Sequence, residues 1–123
     1  MIVIKFLEFL NTVKLYHWKT LGYSVHKATD ELHSKLSDNV DKFVEVFLGK
    51  INNRIDLSHV KTMEVSDFTH LKDFVGCVNK FKEYITFLEN NEFIKSIPNT
   101  DLLTIRDEML ININQFLYLS TLS

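Results

Sequence analysis

The sequence predicts an all-α fold: a four-helix bundle whose second and third helices are joined by a long crossover connection. Three features point to it. Apolar residues recur at steps of three and four along four separate stretches, no stretch alternates apolar with polar as a half-buried strand would, and the single proline, Pro98, falls between the third and fourth stretches. With 46% hydrophobic residues in 123, only three glycines and no Pro/Gly/Ser-rich linker, one domain spanning residues 1–123 is expected.

The first helix is predicted over about 3–20, on the stripe Phe6, Phe9 or Leu10, Val13 and Tyr16. Gly22 punctuates. The second is predicted over about 24–48, on Leu32, Leu36, Val40, Phe43 or Val44 and Phe47, with Gly49 as its stop. Residues 50–65 form the crossover, with room for a short helical turn. Ser66 and Asp67 offer cap chemistry for the third helix, whose face runs from Phe68 through Leu71, Phe74, Val78, Phe81 and Ile85 to Leu88, ending near Asn90-Asn91. Thr100 and Asp101 can cap the fourth, on Leu102, Ile105, Met109, Ile113 and Phe116, to about residue 120.

A formal charge of -2 gives no electrostatic reason to expect a nucleic-acid partner. The single cysteine, Cys77, excludes an intramolecular disulfide framework, suits a reducing compartment and reads as a buried helix residue. The opening MIVIKFLEFL is broken by Lys5 and Glu8 and reads neither as a signal peptide nor as a membrane span. The expected location is the cytoplasm, or a virion or other assembly formed there.

The second helix carries the chemistry. His26, Asp30, Ser37, Asp41 and Glu45 fall within an arc of roughly 100°, with His33 at its edge. Asp30 and Asp41 are nevertheless about 16 Å apart along one helix, too far to share an ion. Two antiparallel copies close the gap, because the pairs His26/Glu45 and Asp30/Asp41 are both centred on the same point, between Lys35 and Leu36. One two-fold axis there satisfies both pairs and creates two identical sites, each built from two subunits. His17, which continues the apolar stripe of the first helix, can join as a further ligand. Two imidazoles and three carboxylates suit one or two iron ions per site, with zinc as the other metal these donors would take.

The HW at 17–18 followed by H-x3-D-x10-D-x3-E at 26–45 resembles the ferroxidase signature of the Dps proteins, the miniferritins of the ferritin-like superfamily, in detail over about residues 7–48. The chain is also similar to small uncharacterised proteins of this type from large DNA viruses and phages. The resemblance implies a ferritin-like bundle and an intersubunit site that oxidises Fe(II) with peroxide or oxygen, protecting against iron and peroxide chemistry. It implies that His17, His26 and Asp30 of one subunit meet Asp41 and Glu45 of its two-fold mate, with Trp18 beside the iron. The lysine-rich tail with which some Dps members bind DNA has no counterpart here.

Ordinary explanations stand beside these. His17 could be a satisfied core histidine, Trp18 a core residue, His33 a contact across the dimer, and the carboxylates a solvated face accompanied by Lys27, Lys35 and Lys42. Arg106, Asp107 and Glu108 read as a salt-bridged face of the fourth helix. The rival to the ferroxidase is a structural or interaction dimer, a virion or nucleoid component, whose metal site is idle or holds zinc.

Overall fold

The computed structural model describes residues 1–123 and is helical throughout, with no strand. Its elements are α1 (Ile2–Lys19), α2 (Tyr23–Ile51), α3 (Leu71–Thr86), a 3-10 turn (Phe87–Asn90), the single-turn α4 (Glu92–Lys95) and α5 (Thr100–Ser120). The four long helices each turn their apolar stripe inward, and 22 buried side chains form one continuous core. Aromatic rings lock α1 to α3: Phe9 stacks on Phe81 at 4.0 Å and Tyr16 on Phe74 at 4.2 Å, while Phe6 meets Phe43 of α2 edge-on at 5.3 Å.

These contacts also set the directions. The end of α1 meets the start of α3, so the two run antiparallel. α5 is antiparallel to α2, since Lys50 at the end of α2 pairs with Asp101 at the start of α5, while Lys35 reaches Gln115. α2 and α3 therefore point the same way. The connecting segment, 52–70, climbs beside α1: the Glu64 N–H donates to Glu8 Oε2, the Ser66 N–H to Thr12 Oγ1, and Lys19 pairs with Asp67 at 2.6 Å.

Several local expectations are corrected. α2 runs through Gly49 and stops two residues beyond it, where Asn52 takes the left-handed conformation at φ 50° and its N–H bonds back to Leu48 O. The third helix begins at Leu71 rather than near residue 66, because Ser66 and Asp67 are drawn to α1 by the contacts just given and cannot cap. Phe68 packs on the Phe74 ring from outside the helix, and residues 52–70 contain no helical turn. Asn91 caps α4, accepting from the N–H groups of Phe93 and Ile94. Cys77 is half-buried, and burial pushes its thiol up. No helix is long and apolar enough to cross a membrane.

Candidate metal centre

The turn between α1 and α2 has only three residues, Thr20 to Gly22, so the last turn of α1 lies against the first turns of α2. That brings His17 and His26 together. Their rings stack at 4.0 Å between centroids, 22° from parallel. His17 Nδ1 lies 2.9 Å from the His26 carbonyl, and His26 Nδ1 lies 3.0 Å from the His17 carbonyl. A carbonyl only accepts, so each Nδ1 carries the proton and donates. The neutral ring must then hold its lone pair on Nε2, the state in which an imidazole binds a metal; a backbone carbonyl on the opposite nitrogen is the usual means of fixing it.

Thr29, fully buried one turn below His26, completes the arrangement. Its hydroxyl is 2.9 Å from the carbonyls of Val25 and His26 and offers its oxygen to His17 Nδ1 at 3.0 Å. His17 is buried, as its place on the α1 stripe requires, whereas His26 is exposed. His17 Nε2 makes no hydrogen bond and faces Asp30 Oδ1 at 3.9 Å. Two donors about 2.1 Å from one ion lie about 3.0–3.4 Å apart at octahedral or tetrahedral angles, so at 3.9 Å this pair would close by about half an ångström to share a cation.

Asp41 and Glu45 lie further along the same face of α2, exposed and without a hydrogen bond or ion pair. The structure thus brings His17 together with His26 and, separately, with Asp30, and leaves Asp41 and Glu45 apart from them. Within a single chain no three His, Cys, Asp or Glu side chains converge to hold a metal ion. Two of the three lysines named above turn away from the stripe. Lys42 pairs with Glu108 at 3.6 Å and Lys35 bonds Gln115 at 3.2 Å, both turned toward α5.

The remaining candidates separate. His33 is half-buried, and its imidazole is held below its ordinary value by burial and by the Lys14 ammonium, with Asp30 acting in the opposite sense and His17 in the same. Trp18, expected in the core, is 69% exposed, because it sits 100° round α1 from His17 and off the stripe. Arg106 pairs with Asp107, and Glu108 with Lys42, as a salt-bridged face would, but Arg106 itself is buried and its Nη1 donates to the carbonyls of Ile85 and Thr86 at the end of α3. Sequence reading missed Thr29 and, for Arg106, the bonds to the end of α3. Thr29 one turn below His26 on the core side was the available signal for the first; nothing local signals the second.

The chain belongs to a family of unknown function, DUF5856, whose model covers residues 17–119 and so includes all five proposed ligands. No curated protein and no solved structure matches the chain.

Proposed function

We propose that this DUF5856 member is a Dps-like, ferritin-like protein that binds Fe(II) at a site shared by two copies and oxidises it with peroxide or oxygen. The observation that carries the reading is the reciprocal His17–His26 pair, which presets both imidazoles with the lone pair on Nε2 and sets one of them beside Asp30. The helix directions support it too: α2 and α3 parallel, joined by one long crossover, is the connectivity of ferritin-like bundles.

In this reading iron is the substrate. Nε2 of His17 and of His26, with the Asp30 carboxylate, takes Fe(II) from one side, and Asp41 and Glu45 of the partner subunit close the other. Negative charge from three carboxylates favours Fe(III) over Fe(II), which lowers the cost of oxidation. Two ferrous ions give one electron each to hydrogen peroxide, whose O–O bond breaks; with two protons the products are two waters and two ferric ions. Asp30 opposite Asp41 is a like-charge pair that a cation between them relieves. Trp18, exposed at the same end of α1, would stand beside the iron in this reading.

A second reading has its own support. The histidine pair ties α1 to α2 with every Nδ1–H satisfied and no ion required, so the fold and dimer could serve as a scaffold with the site idle or holding zinc. Anaerobic Fe(II) titration followed by peroxide, read by ultraviolet absorbance with the mass in solution recorded on the same sample, separates the two. Saturable Fe(II) binding and a rapid ferric signal, both lost in Asp41→Ala and Glu45→Ala, support the ferroxidase. Tight zinc binding without peroxide consumption, or no metal binding at all, leaves the scaffold.

A further inference from the structure

We infer that a second copy of this chain seats its Leu21–Tyr23 tip in the apolar groove at the far end of α2, so that the two-fold pair is held by two equivalent plugs. The inference rests on the antiparallel α2 pairing proposed above and names the surface that would hold it. At the α1–α2 turn Leu21 is fully exposed, at 102%, and Tyr23 is 77% exposed, an apolar tip with nothing in its own chain to cover it. At the other end of α2 lies a groove of about 370 Å³, lined by Val44, Phe47, Leu48, Ile51, Ile55 and Phe93 among others. That is large enough to admit apolar side chains from outside.

Register joins them. Tyr23 and Leu48 are centred on the same point between Lys35 and Leu36 as His26/Glu45 and Asp30/Asp41, and they lie within about 20° of each other around the helix, inside the same arc. An axis drawn to complete the metal ligands therefore carries the tip of each copy onto the groove of the other, with Leu21 arriving at the level of Lys50, next to Ile51. At the crossing stand Ser34 and Ser37, also symmetric about that point, whose short side chains let two helices approach closely. The contact is isologous and closes on itself, so it makes a dimer and not a filament. It also supplies an attraction that the Asp30/Asp41 apposition lacks in the absence of a cation.

The test uses the full chain. In the Leu21→Ser/Tyr23→Ser variant the bundle core is untouched, so helicity by circular dichroism should match the parent, while sedimentation equilibrium should show dimerisation weakened by roughly thirtyfold or more, since each dimer loses both plugs. In a Cys77→Ser background, Tyr23→Cys with Leu48→Cys should give a covalent dimer under mild oxidation, and neither cysteine alone should. An unchanged dimer in the serine variant, or no cross-link in a chain that does dimerise, overturns the plug. If Fe(II) still binds in that case, the iron reading survives it; a Tyr23–Leu48 cross-linked dimer that binds no Fe(II) keeps the plug and overturns the iron reading. A monomeric parent that binds no iron overturns both.

Discussion

His17 and His26 hold each other by a symmetric exchange: each ring donates its Nδ1–H to the other residue's carbonyl, across a stack of 4.0 Å. The exchange couples fold and chemistry, since the bonds that tie α1 to α2 also set which nitrogen of each ring is free. His17→Leu keeps apolar bulk in this buried position and removes the donor, and it should cost about 1–3 kcal/mol in urea unfolding without metal. His17→Asn, whose amide can place an N–H where Nδ1 was, should recover part of that loss while leaving no nitrogen lone pair for an ion. A metal-free His17→Leu chain as stable as the parent would show that the exchange contributes nothing net.

Arg106 does for the end of α3 what a capping side chain does for other helices. Its Nη1 lies 3.1 Å from the Ile85 carbonyl and 2.9 Å from that of Thr86, with Asp107 at 2.8 Å and Glu89 at 3.8 Å balancing the buried charge. Arg106→Met removes the charged donor that both carbonyls share and leaves the Ile85 carbonyl with only the Phe87 N–H, so a loss of about 1–3 kcal/mol is expected. Arg106→Lys restores the charge but cannot span both carbonyls while meeting Asp107, so it should fall between the two in the same unfolding experiment.

His33 gives a pH dependence with a definite sign. Its folded-state pKa lies below the unfolded value of about 6.5, chiefly through burial, so the folded protein binds the proton less readily than the unfolded chain. Stability is therefore full above that pH, declines as pH falls below it, and levels once the folded ring protonates. A ring-proton titration of His33 by NMR should have its midpoint below 6.5, and His33→Gln should flatten the stability slope just under that pH. A midpoint above 6.5 would reverse the assignment of burial as the dominant cause.

Asn52 ends α2 in the left-handed region, the one non-glycine residue with positive φ. Asn52→Gly should be neutral or slightly stabilising, and Asn52→Val should cost about 1–2 kcal/mol, because a β-branched side chain meets the carbonyl in that conformation. Thermal unfolding of the two variants orders them directly; equal midpoints would mean that the helix end has shifted to another residue.

These particulars indicate what can be read from sequence alone. The four stripes are legible because burial in a bundle repeats with the helix, and Phe6, Leu36, Val78 and Ile113 fall where period alone puts them. Gly49 misleads as a stop because helix ends are decided by backbone conformation, which Asn52 adopts as well. Ser66 and Asp67 look like caps, but their partners, Thr12 and Lys19, are 54 and 48 residues away, beyond any local pattern. Trp18 misleads because residue type outweighed its position off the stripe. In the candidate site, the meeting of His17 with His26 follows from a short turn between antiparallel helices, whereas the tautomer depends on two carbonyls that only coordinates reveal.

The shared site makes a prediction that no single-chain site can mimic. His26→Ala and Glu45→Ala chains should each form dimers with no intact centre, since every site needs His26 from one copy and Glu45 from the other. Co-refolded in equal amounts, half the dimers are mixed by chance; in each mixed dimer both defects fall in one site and the other is whole, so about a quarter of the parent Fe(II)-binding capacity should return. Ferrous titration of the co-refolded mixture against the two variants refolded separately reads this out. Recovery near that fraction assigns the ligands to opposite subunits. No recovery from a mixture that mass spectrometry shows to contain mixed dimers would place His26 and Glu45 in the same chain's site, or in none, and the two-fold argument would fall with it.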